Sequence, residues 1–218
     1  MPLQHHQHIN PTGELGIWQI VETEAWFREQ LLLSPAELRQ LSTIKGRRRL
    51  EFLAARQLVH QMSRRTVRGA FVKDEFGKPH LSGSNWHISI SHSHSLAAAV
   101  ASPLLCGIDI QFIVPKITRL AHKFLRAEEA ASITEKYELD QLHFYWGAKE
   151  ALYKAYGRRE LDFKKHLHVE PIAVDIPTGR TTARILKDGV IDQSFQVYYQ
   201  RSETGYMLVW CVALQEAM

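Results

Sequence analysis

The sequence predicts an α+β chain organised as two similar lobes that divide near residue 105. Two observations carry that expectation. Helix-patterned segments followed by strand meanders occur twice along the chain, once before and once after the Ser102-Pro103 turn. The 218 residues are 45% hydrophobic and 23% charged, an ordinary globular balance with enough apolar material for a core. Residues 1–105 are expected to form the N-terminal lobe and residues 106–218 the C-terminal lobe, although no internal sequence repeat is evident.

The N-terminal dozen residues are polar and read as loose. His5, His6 and His8 lie there without partner acids, so a metal role is not expected. Leu15 to Val21 alternates as a strand. Ser34-Pro35-Ala-Glu37 is a helix start, with a capping hydroxyl, proline in the first turn and an acid three residues on. A long helix is predicted over 47–63, where Leu50, Leu53, Ala54, Leu58 and Met62 form an apolar seam. Arg56 and His60 each fall within about 20° of Arg49 on its wheel, and the three suggest a cationic rim. Asp74 to His80 is a turn. Trp86–Ser91, Leu96–Ala101 and Leu104–Ile110 read as strands, with a polar link at His92–Ser95. Beyond Pro115, helical spacing covers 117–137 and 141–156, the latter stopped by Gly157. Strands at 169–174 and 182–186 precede a closing hairpin formed by Phe195–Gln200 and Tyr206–Ala213.

No run of about 18 apolar residues is present, so no membrane span is predicted. The opening MPLQHHQHINPTGE lacks the basic-then-apolar order of a secretory signal. Cys106 and Cys211 sit far apart in apolar strands and read as buried thiols, which points to a cytoplasmic chain. The net charge is +4, concentrated over residues 45–68, where Lys45, Arg47, Arg48, Arg49, Arg56, Arg64, Arg65 and Arg68 face only Glu51. Such a run is either a solvated helix face or a surface for polyanions.

Two segments carry most of the chemistry: Gly107-Ile-Asp-Ile-Gln111 and Trp146-Gly-Ala-Lys-Glu-Ala-Leu-Tyr-Lys154. Asp109 lies inside an apolar strand, where a carboxylate needs a cation or several donors. Strand alternation puts Asp109 and Gln111 on one face, an oxygen pair suited to Mg²⁺ or to an arginine partner. Glu150 and Lys154 share one helix face with Trp146. They form either a plain ion pair or, with Asp109, a cradle for a metal-bound pyrophosphate. His92 among serines and Gly77-Lys78-Pro79 offer further phosphate and base contacts. The common phosphate loops and the serine-hydrolase elbow are absent.

In their order, these pieces resemble the 4′-phosphopantetheinyl transferases, specifically the large two-lobed Sfp-like class. The matching stretches are Arg48–Arg56, Phe76–Pro79, Ile88–Ser93, Gly107–Gln111, Phe124–Glu129 and Trp146–Lys154. The resemblance implies two pseudo-twofold-related α/β lobes, monomeric, with coenzyme A in the cleft. It implies a holo-acyl-carrier-protein synthase: phosphopantetheine passes from coenzyme A to a serine of an acidic apo acyl or peptidyl carrier protein. Adenosine 3′,5′-bisphosphate is released. Asp109, Gln111 and Glu150 would be ligands of Mg²⁺, with Mn²⁺ as a substitute. Lys154 would contact the pyrophosphate and help take the serine proton, and Glu129 would be an acid near the metal. Arg49, Arg56, Lys78, Pro79, Ser91 and His92 would bind coenzyme A. Many relatives carry Glu where Gln111 stands, so Gln111→Glu is expected to keep activity and lower the Mg²⁺ requirement. The competing readings are a metal-dependent nucleotide or coenzyme A hydrolase using the same acids, and a nucleic-acid-binding module using the arginine-rich helix. The transferase reading expects neither a nucleic-acid nor a membrane partner.

Overall fold

The computed structural model describes residues 3–172, 177–187 and 191–215. The chain divides into two compact units, Met1–Leu104 and Leu105–Met218. Each has its own antiparallel sheet and its own apolar core. No helix among the described residues is long and apolar enough to cross a membrane.

In the first unit, strands β1 (Leu3–His8) and β2 (Glu14–Gln19) precede helices α1 (Glu24–Gln30), α2 (Pro35–Thr43) and α3 (Arg48–Ser63). Strands β3 (Phe71–Lys73), β4 (Pro79–Leu81), β5 (His87–Ser93) and β6 (Leu96–Ser102) complete a sheet of order β1-β2-β6-β5-β4-β3. The apolar seam of α3 covers the sheet: Leu53, Leu58 and Met62 join Trp18, Ala97 and Ala99 in one core. The small side chains of β6 let a helix lie close to the strand backbone.

The N-terminal residues are not loose. β1 pairs with β2, and His6 and His8 both reach Glu14, at 2.7 and 2.9 Å. An edge strand needs no apolar run, because backbone hydrogen bonds to its neighbour hold it.

The helix start at Ser34 is present as a full capping box. Ser34 Oγ accepts the Glu37 N–H, and Glu37 Oε2 accepts the Ser34 N–H. The same carboxylate does far more. It accepts from Arg56 Nε at 3.1 Å, from Arg68 Nη2 at 2.6 Å and from the Phe71 N–H at 3.0 Å. Glu37 thereby ties α2, α3 and β3 together from a fully buried position.

In the second unit, β7 (Cys106–Phe112) leads into a 3₁₀ turn (Pro115–Leu120), short helices α4 (Ala121–Phe124) and α5 (Ala127–Ala131), a second 3₁₀ turn (Glu135–Tyr137) and the long helix α6 (Glu138–Tyr156). The helical stretch predicted over 117–137 is therefore broken. At Arg126 the backbone is extended, and the Glu129 carboxylate takes its N–H at 2.8 Å, restarting the helix one residue on. Strands β8 (Leu167–Val169), β9 (Thr178–Lys187), β10 (Ile191–Arg201) and β11 (Tyr206–Ala213) follow. The strand expected at 169–174 ends at Val169, and its residues 173–174 lie outside the described residues. The sheet order is β7-β11-β10-β9-β8, and α6 packs on β7 and β11. Gly157 caps α6 in the left-handed region at φ 74°.

Burial alone would raise the Glu37 carboxyl, but hydrogen bonds from Arg68 and from the Ser34 and Phe71 amides outweigh it and hold the pKa at about 2. A carboxyl lowered from 4.5 stabilises the fold fully above pH 4.5 and loses that contribution as pH falls toward 2. The difference corresponds to about 3 kcal/mol. Chemical denaturation between pH 2 and 6 should show this acid-side loss in the parent. Glu37→Gln should be several kcal/mol less stable at pH 7 and lack that part of the pH dependence.

Candidate active site

Three residues on one face of β7, Gly107, Asp109 and Gln111, meet α6 in sequence. A Cβ placed on Gly107 would lie 1.8 Å from the Ala151 carbonyl oxygen. Only hydrogen fits there, so the helix backbone rests directly on the strand. One pleat further on, Asp109 Oδ1 accepts from Lys154 Nζ at 2.8 Å, and the same ammonium donates to the Ile108 carbonyl at 3.0 Å. At the next pleat, Gln111 Nε2 donates to the His143 carbonyl at 3.1 Å. Gly147 makes room for that amide, since a Cβ there would lie 3.2 Å from Gln111 Nε2.

Glu150 sits one turn before Lys154 on α6. Its carboxyl is raised above the ordinary value, first by burial; the Lys154 charge pulls it down and the Asp109 charge pushes it up. The strand–helix contact therefore brings Asp109, Glu150 and Lys154 into one electrostatic neighbourhood, with Gln111 on the same strand face. The available donors are all oxygens, two of them carboxylates. No group of three or more His, Cys, Asp or Glu side chains able to hold a metal occurs among the described residues.

Glu129 and Lys149 do not join this neighbourhood. Lys149 Nζ contacts Glu129 Oε2 at 2.7 Å and donates to the Phe124 and Phe163 carbonyls, with no exposure at all. Glu129 also accepts the Arg126 and Val169 N–H groups. The pair fastens α5 and β8 to α6. Burial pulls the Lys149 ammonium below its usual value, and Glu129 opposes that shift.

In the first unit, a pocket of about 510 Å³ is lined by Arg48, Glu51, Arg56, Lys73, Gly77, Pro79 and His92. Ile44, Phe52, Phe71 and Ile90 supply its apolar walls. Gly77 takes φ 88°, a left-handed turn that lets β4 begin at Pro79. His92 Nδ1 lies 3.1 Å from Glu51 Oε2. The pocket gathers Arg56, Pro79 and His92 from the expected coenzyme A set. Lys78 stands in the turn between Gly77 and Pro79 but is not among the lining residues, and neither is Ser91, which is buried and alternates with His92 along β5.

The cationic rim proposed for α3 faces inward. Arg49 is bound to Glu24 through Nε and Nη2 at 2.7 Å each, and to the Leu41 and Ile44 carbonyls through Nη1. Arg56 is buried on Glu37, its guanidinium 3.2 Å above the Phe52 ring. Arg68 is held by Glu37 as well. Arg48 and Lys73, absent from the expected site, are the pocket's other cations. Arg48 belongs to the arginine run that drew attention in the sequence; nothing local to Lys73 marks it.

Residues 105–211 match the family model ACPS, the 4′-phosphopantetheinyl transferase superfamily. The match covers β7, α6 and most of the second sheet, including every residue of the acid neighbourhood. No curated protein matches the chain. The match lies within the second unit, and what it suggests at the level of class is a phosphopantetheinyl transferase.

The Gly107 contact is open to a direct test. Gly107→Ala cannot be accommodated without moving α6 off β7, because the methyl would meet backbone, not a flexible side-chain end. Denaturant unfolding should show a loss of about 3 kcal/mol or more, or no folded protein. The structure also revises the expectation for Gln111→Glu. An acceptor would face the His143 carbonyl where a donor now stands, at a cost of about 1–3 kcal/mol in stability. Equal melting of this variant and its parent would show that the amide contact is dispensable.

Proposed function

We propose that the protein transfers 4′-phosphopantetheine from coenzyme A to a serine of an apo acyl or peptidyl carrier protein. The observation that carries this reading is the coincidence of the family match with the unit that gathers Asp109, Glu150 and Lys154. A hard divalent cation such as Mg²⁺ fits the oxygen donors, because it needs only one or two protein carboxylates when phosphate oxygens supply other positions. Asp109 and Glu150 would hold it, with the Gln111 amide oxygen beside them; Mn²⁺ would fit the same set. When bound, the cation offsets charge on the pyrophosphate.

The chain's own groups do the remainder. The carrier's serine hydroxyl attacks the pyrophosphate phosphorus next to pantetheine. The phosphorus–oxygen bond to adenosine 3′,5′-bisphosphate breaks as the new phosphodiester forms. Lys154, already against Asp109, places a fixed ammonium where negative charge builds. Glu150, raised by burial on its own, would be held ionised as a ligand of the cation, and the serine proton leaves to water or to a phosphate oxygen at the attacked group. Glu129 is left out of the chemistry by its engagement with Lys149. Within the first unit, the pocket's Arg48, Lys73 and His92 suit phosphate groups, and Pro79 and Phe52 suit a flat base. A net charge of +4 would favour an acidic carrier, with association weakening as salt rises.

Two alternatives are weaker. A nucleic-acid-binding module gains little from the basic run, because Arg49, Arg56 and Arg68 are committed to internal carboxylates. A hydrolase would use the same acids with water as nucleophile. Intact-mass spectrometry separates the readings after incubation with coenzyme A, Mg²⁺ and an apo carrier protein. The expected result is a carrier heavier by one phosphopantetheine group. Asp109→Ala and Glu150→Gln should each lower the rate by about 10²-fold or more, with folding retained. Bisphosphate release without a heavier carrier would favour hydrolysis instead.

A further inference from the structure

The strand end that carries Gln111 is held twice by one residue of the helix. The His143 carbonyl accepts from Gln111 Nε2 at 3.1 Å. The His143 ring Nε2 lies 3.0 Å from the Val114 nitrogen and 3.1 Å from the Val114 oxygen. His143 is buried, and its ring Nδ1 has no hydrogen-bond partner among the described residues. A half-satisfied imidazole in a core is unfavourable, and packing alone would be served better by an apolar side chain. The ring therefore makes its one attachment, to Val114, against a standing cost. Val114 is the residue where β7 has just ended and the chain turns into the 3₁₀ segment at Pro115.

The two attachments span Gln111 to Val114 and lock the last turn of the strand to the helix that carries Glu150. Together with the Lys154–Asp109 contact, they tie the part of β7 that carries Asp109 and Gln111 to α6. Gly107 fixes the other end of the same strand. With one end fixed by steric contact and the other by His143, the strand cannot slide or twist along α6 without breaking a hydrogen bond.

We propose that His143 is a positioning residue for the metal-holding acids, acting through Gln111 and Val114 and not through contact with substrate. The inference rests on the transferase reading above. It also assigns the amide at position 111 a reason: a glutamine can donate to the His143 carbonyl and still present an oxygen, whereas a carboxylate cannot donate.

The test compares His143→Leu, which removes the ring nitrogen, with His143→Gln, whose side-chain nitrogen can reach the position of Nε2. Manganese binding in the presence of coenzyme A is followed by electron paramagnetic resonance, alongside kcat and the KM for coenzyme A. His143→Leu should weaken Mn²⁺ binding about tenfold or more and lower kcat, leaving the KM for coenzyme A near the parent value. His143→Gln should recover Mn²⁺ affinity to within about threefold of the parent. Unchanged affinity in His143→Leu, or equal losses in both variants, would overturn the proposal. If His143→Leu does not fold, His143→Phe takes its place: it keeps a buried ring but no nitrogen to reach Val114, and unchanged Mn²⁺ affinity there is equally fatal. A parent protein that binds no Mn²⁺ with coenzyme A would instead remove the metal reading itself, and this inference with it.

Discussion

The second unit is organised around a contact in which no side chain takes part. Gly107 on β7 touches the Ala151 carbonyl of α6 with only a hydrogen between them. That approach sets the spacing of strand and helix for the next two pleats. Lys154 can then reach both Asp109 and the Ile108 carbonyl, and Gln111 can reach the His143 carbonyl over Gly147. Two glycines, one on each element, thus decide how closely charged groups from strand and helix can gather. A larger residue at either place would widen the gap for all of them together.

Buried carboxylates serve as junctions in both units. Glu37 collects α2, α3 and β3; Glu129 collects α5, α6 and β8. Each takes backbone N–H groups as well as a cation, so its lone pairs are used and its charge is matched. Such pairs contribute modestly relative to a well-packed apolar core, yet they are severely destabilising to break on one side. Glu37 also explains why two arginines of the basic run, Arg56 and Arg68, are not surface charges. Of the pocket's lining residues, Arg56 is engaged by Glu37 and His92 lies against Glu51, while Arg48 and Lys73 bring further positive charge.

Much of this could be read in the sequence wherever the relevant partner was local. Ser34, Pro35 and Glu37 announced the start of α2, Gly157 announced the end of α6, and strand alternation placed Asp109 beside Gln111. The long apolar seam of α3 was visible for the same reason. What escaped was set by residues distant in sequence. The capping role of Glu37 was legible, but not its grip on Arg56, Arg68 and Phe71. A helical wheel put Arg49, Arg56 and His60 on one face; it could not say that the face turns inward. The polar strand Leu3–His8 has no apolar rhythm, because only its pairing with β2 makes it a strand. The break at Arg126 depends on a side chain reaching back to an amide, which periodicity does not register. Asp109, Glu150 and Lys154 were singled out by type and spacing, and the structure brings them into one neighbourhood. His143 was not, since its part is played by a carbonyl and a ring buried among apolar neighbours.

The neighbours Lys149 and Glu150 divide the motif between two kinds of necessity. One is sealed into the core against Glu129, and the other faces Asp109 and Lys154. In a cell-based survey of variants, both positions would score as intolerant. The reasons would differ: substitutions at Lys149 would lower the amount of protein present, whereas on the transferase reading proposed above those at Glu150 would leave a full complement of inert molecules. Steady-state abundance, measured beside growth or product, would separate the two and show which part of a short motif maintains the molecule and which part employs it.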